Sequence, residues 1–160
     1  MTIPMDPETR KVILSILKDA KDITVATNRP DGFPQATVVS FVHSNDVIYF
    51  GCGAHSQKAR NIDRDNRVSI TATPPYGESP TIRGLSIGGR ARRVGAGPER
   101  YRVIELIKKR FPHIVDYVKS GDCNDIALFR VEPEVISIID YARGFGHAEL
   151  HGQPPLRVLA

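Results

Sequence analysis

The run from Tyr49 to Ile62 limits the possible folds more than any other stretch of the chain. Tyr49 and Phe50 read as the end of a strand, and Gly51, Cys52, Gly53 and Ala54 as a small-residue turn. Ser56 then caps a helix running to about Arg64. The first N–H groups of such a helix lack internal partners and carry partial positive charge, so the turn can receive an anion. Ser56, Gln57 and Lys58 are its candidate ligands, with a hydroxyl, an amide and an ammonium in the first turn. The same pattern also suits a capped helix that binds nothing, and the segment alone does not choose.

The surrounding segments read as short strands joined by hairpins. Asp6 and Pro7 start a helix whose Val12, Ile13, Ile16, Leu17 and Ala20 share one face and which ends near Lys21. Strands follow at Ile23 to Asn28 and Pro34 to His43, turned by Arg29 to Gly32, and then at Val47 to Gly51 and Arg67 to Thr73. The proline-rich stretch from Thr73 to Pro80 reads as a surface loop. Ile82 to Val94 forms a long strand in which Gly84, Gly88 and Gly89 admit a bend or a close neighbour. A helix from Gly97 and Pro98 turns Val103, Ile104, Leu106, Ile107 and Phe111 inward, and a shorter one spans His113 to Lys119. In the last strand, Ile126 to Ile139, Pro133 implies a bulge or an edge. The expected architecture is α+β and mainly β, an antiparallel barrel flanked by helices. Residues 1–150 are expected to form a single domain, with 151–160 as a C-terminal tail.

Charge and cysteine content narrow the function classes. The net charge of +4 comes from cations scattered among carboxylates, and the Arg90 to Arg93 cluster lacks interleaved aromatics, so nucleic acid is not an expected partner. Cys52 and Cys123 stand far apart without metal-ligand spacing, and no metal is expected. Met1 to Asp6 has no basic region leading into an apolar stretch, and no segment is long enough to span a bilayer; the expectation is a cytoplasmic protein without membrane contact.

With these elements in order, the chain resembles the FMN-binding split-barrel superfamily that includes pyridoxamine 5'-phosphate oxidase. The resemblance is carried by Thr24 to Asn28 with Gly32 to Val39, by Val47 to Phe50 with Ser56 to Ile62 and Asn66 to Ile70, and by Ile87 to Ala91. It implies a split β-barrel with flavin between the subunits of a homodimer. Thr37, Val38, Val39 and Ser40 would face the isoalloxazine, and Gly51 and Cys52 the ribityl chain. Ser56, Gln57 and Lys58 would hold the phosphate, and Arg90 or the C-terminal segment of the partner would approach the ring. The implied activity is flavin-mediated hydride transfer with a small-molecule electron donor or acceptor, in which no side chain is assigned a catalytic role.

Departures from the oxidase pattern bear on the substrate. Gln35 and Ser40 stand where pyridoxamine phosphate oxidases carry arginine and lysine, and Gln57 replaces an arginine beside the phosphate lysine. Oxidation of vitamin B6 phosphates is therefore not the expected activity. A deazaflavin or haem remains an alternative cofactor, haem because Gly144 to His147 is similar to the closing segment of split-barrel haem-utilisation proteins. A flavin-binding or redox-responsive protein without turnover is the alternative to an enzyme.

Overall fold

The computed structural model describes residues 5–78, 81–114 and 125–152. Helix α1 (Pro7–Asp19) begins where the Asp6 carboxylate accepts the N–H groups of Glu8 and Thr9, and it buries Ile13, Ile16 and Leu17. Seven strands follow in antiparallel pairs: β1 (Asp22–Asn28), β2 (Pro34–Ser44), β3 (Val47–Gly53), β4 (Arg67–Ala72), β5 (Arg83–Arg93), β6 (Ile126–Asp140) and β7 (Ala148–Gly152). Helix α2 (Gln57–Arg64) lies between β3 and β4, and α3 (Pro98–Arg110) between β5 and β6.

The sheet runs β3-β2-β1-β4-β5-β6-β7, and β3 also pairs with β6. That extra pairing closes six strands into a barrel and leaves β7 as an addition on the outside of β6. β1 shows how the sequence dictates the interior: its burial alternates, with Ile23, Val25 and Thr27 inward. Phe41, Phe50, Phe129, Ile70 and Ile87 complete the core with residues of α1 and α2. A second cluster of Val42, Tyr49, Val94, Val103 and Leu128 lies on the outer face, where α3 packs.

The bulge expected at Pro133 is present. Gly88 opposes Val135 and Gly89 opposes Pro133, so Glu134 is the extra residue. Proline has no N–H for the ladder, and a Cβ on Gly89 would lie 2.5 Å from the Glu132 carbonyl oxygen, so the two strands meet where only glycine fits.

Two expectations change. α3 buries only Val103 fully, while Ile104, Leu106, Ile107 and Phe111 are half-buried, because the helix stands off the barrel over a cavity. The segment after the expected last strand, which carries Gly144 to His147, adds a strand, β7, paired to the second half of β6 after a 3-10 turn at Tyr141–Arg143. Most of the short helix expected over His113 to Lys119, and most of the expected tail at 151–160, lie outside the described residues.

Candidate functional site

The cavity beneath α3 has a volume of about 600 Å³, within the range of small-molecule sites. Its floor is the outer face of β2 and β3, presenting Val38, Ser40, Val42, Tyr49 and Gly51, and β6 adds Ile126 and Leu128. Its roof is the Ile104, Ile107 and Phe111 stripe of α3. A Cβ on Gly51 would already touch Leu128 Cδ2 at 3.4 Å and Ile126 Cγ2 at 3.6 Å, so glycine there keeps the floor open. A comparable concavity beside the β1–β2 hairpin is lined by Arg29, Arg64, Asp65 and Arg67, whose charges are taken up by local partners.

Of the residues singled out from the sequence, Val38, Val39, Ser40, Gly51 and Cys52 line the cavity, and the other five do not. Thr37 faces the barrel interior opposite Val25, and its buried hydroxyl has no hydrogen-bond partner among the described residues. Arg90 lies away from the cavity, donating to Glu134 and Asn66. Arg93 reaches the turn after β3, with Nη2 donating to the Ala54 carbonyl at 3.1 Å and pairing with Asp63 at 2.8 Å.

Ser56 borders the cavity, since its N–H donates to the carbonyl of Gly53, a lining residue, and Gln57 and Lys58 follow it in the first turn of α2. The Ser56 hydroxyl caps α2 by accepting Ala59 N at 3.2 Å and donates to Cys52 Sγ at 3.5 Å. Gln57 spends its amide on Asn61, at 2.7 Å, and on Arg60. Lys58 is only 8% exposed, with Nζ 5.9 Å from the centroid of the Phe50 ring. Burial holds its ammonium below the usual lysine range, opposed by the nearby Cys52 thiol.

Asn61, which the sequence reading did not single out, is fully buried and holds this helix to the barrel. Its Nδ2 donates to Thr27 Oγ1 at 3.0 Å and to Gln35 Oε1 at 3.2 Å, while Oδ1 accepts from Gln57. The available signal was an Asn between Lys58 and Ile62 on the apolar side of a short helix. The α3 roof was missed as a site because its apolar stripe reads as ordinary core.

The sequence profile of the pyridoxamine 5'-phosphate oxidase family matches residues 9–140. The chain belongs to that family. Solved structures repeat the family's split barrel. A heme binding protein from Mycobacterium smegmatis superposes with a TM-score of 0.77 at 19% identity, over 92% of this chain and 59% of that one. The conserved hypothetical protein Rv2991 from Mycobacterium tuberculosis gives 0.72 at 24% identity, over 98% and 93%. HutZ, a heme storage protein from Vibrio cholerae, gives 0.65 at 24% identity, over 82% and 92%. At these identities the structures establish the fold alone. No curated protein matches the chain. Among the described residues, no helix is long and apolar enough to cross a membrane.

Proposed function

We propose that this member of the oxidase family binds FMN in the cavity between α3 and the barrel and acts as a homodimeric flavin oxidoreductase on a small molecule. The observation that carries this reading is Lys58. A buried ammonium with no carboxylate partner among the described residues is costly, and a phosphate at the α2 N-terminus would compensate it. Because Ser56 and Gln57 spend their side chains within the protein, the phosphate donors left are Lys58 and the unpaired N–H groups of Gln57 and Lys58.

Val38, Val39 and Ser40 would flank the ring, with Gly51 and Cys52 beside the ribityl chain. When bound, the flavin supplies the hydride-accepting chemistry, and the protein orients it and excludes water. Titration with FMN, a deazaflavin and haemin, followed by visible absorption, tests the assignment. FMN should bind tightly with a perturbed flavin spectrum, and saturation by haemin without FMN binding would overturn the reading.

A second reading, haem binding, is favoured by one further observation. His147, Glu149 and His151 share one face of the β7 segment; His151 Nε2 is buried without a hydrogen-bond partner among the described residues and lies 3.9 Å from Glu149 Oε2. The haemin arm of the same titration tests it.

A further inference from the structure

The roof of the cavity carries chemistry that the flavin reading does not use. Arg100, Ile104 and Lys108 recur at four-residue spacing along α3, and all three line the cavity. No carboxylate lines it among the described residues. Lys108 is exposed and already paired with Glu105 on its own helix, at 2.8 Å. Arg100 has no acidic partner among the described residues, and its Nη1 donates a long hydrogen bond to the Val94 carbonyl, at 3.5 Å.

We infer that the space under α3 is the substrate side of this site and takes an apolar carboxylic acid, its carboxylate on the Arg100 guanidinium and its hydrocarbon body against Ile104, Ile107 and Phe111. The inference deepens the flavin reading by naming a substrate class. The apolar argument is that three large side chains stay half-buried over open space, where an apolar occupant would remove their remaining surface from water. The charge argument is that a guanidinium fork matches a carboxylate in two parallel hydrogen bonds, whereas the second cation is engaged and stands about 12 Å further along the helix. A polyanion would leave charge uncompensated against the apolar wall, so a single acidic group is the better match.

Calorimetric titration with 2-naphthoate and with 2-naphthylmethanol, which share an apolar body and differ in charge, tests this directly. The acid should bind tenfold or more tightly than the alcohol. Arg100→Gln should bring the two affinities within about twofold while FMN affinity and circular dichroism stay unchanged, and Lys108→Gln should keep the preference for acid. Ile107→Trp, which narrows the space under the roof, should weaken binding of both probes. Equal affinity for acid and alcohol, no binding of either, or an unaltered preference in Arg100→Gln would overturn the assignment. If FMN fails to bind while the Arg100-dependent preference persists, the cavity assignment stands and only the flavin reading falls.

Discussion

Lys58 places its ammonium 5.9 Å from the centroid of the Phe50 ring and meets no carboxylate among the described residues. The ring face offers partial compensation, worth about 0.5–2 kcal/mol in such geometries, which is less than desolvating a cation costs. The residue therefore weakens the empty barrel while preparing it for an anion.

Replacement of Lys58 should separate the two effects. Lys58→Met should weaken FMN binding by about ten- to a hundredfold, the scale of a charged hydrogen bond. The same change should raise the Tm of the unliganded protein, because an apolar side chain of similar length relieves the buried charge. Since the folded pKa is depressed, the cost is present at neutral pH and relieved as pH rises toward the ordinary lysine range, so the Tm gap between variant and wild type should narrow in alkali. Unchanged FMN affinity in a folded Lys58→Met protein would place the phosphate elsewhere.

Asn61→Ala should destabilise the protein by about 1–3 kcal/mol, as it strands the Thr27 hydroxyl and the Gln35 and Gln57 amides in or near the core. Thermal unfolding followed by circular dichroism reads this as a drop of roughly 2–4 °C for each kcal/mol. An unaltered Tm would show that the network contributes nothing to stability.

Asp65 should report on acid unfolding. The Arg67 guanidinium, with help from the Asn28 amide, holds its carboxyl well below the usual carboxylate range. The stabilisation is complete above about pH 4 and is lost as pH falls through the depressed folded value. Asp65→Asn should be less stable than wild type at pH 7, and the two stabilities should approach each other as pH falls below about 4. Parallel curves across that range would mean the ion pair adds no stability.

Pyridoxamine 5'-phosphate should be a poor substrate. The Ser40 hydroxyl donates to Asp22 at 3.0 Å, so this position presents a neutral group already tied to a carboxylate and would repel a phosphate. Anaerobic stopped-flow reduction of the FMN-loaded protein should be slow with this compound and faster with a nicotinamide or a reduced deazaflavin. Rapid reduction by pyridoxamine 5'-phosphate alone would reverse the choice of substrate.

Association is testable separately. Val38 and Phe33 are 68% and 69% exposed on β2 and the hairpin before it, an apolar surface suited to a second copy. Light scattering should give twice the chain mass of 17.7 kDa, and Val38→Glu should halve it. A wild-type monomer at micromolar concentration would contradict the homodimer.

Local signals were the legible ones. The Ser56 cap, the Arg29 to Gly32 turn and the Pro133 bulge depend on residues within a few positions, so their chemistry shows in the sequence. What depends on partners distant in the chain did not show. A lysine in the first turn of a polar helix reads as solvent-exposed, and only the docking of α2 against Phe50 buries it. The Arg93 contact with the Ala54 carbonyl joins residues 39 positions apart and has no local signature. β7 has little apolar alternation of its own and is ordered by its ladder to β6.

The double use of β6 has a consequence for how the chain acquires its site. Its first half closes the ring against β3, the Asp125 carbonyl before it accepts Ala54 N from the turn, and its second half carries β7. A growing chain that has made only the first five strands leaves the facing edges of β3 and β5 unpaired, and it has neither the Ile126 and Leu128 wall nor the brace on the turn. Closure is thus a late event in synthesis, joining segments far apart in sequence. A ligand that needs the Ile126 and Leu128 wall therefore meets a complete site only once β6 has joined the barrel.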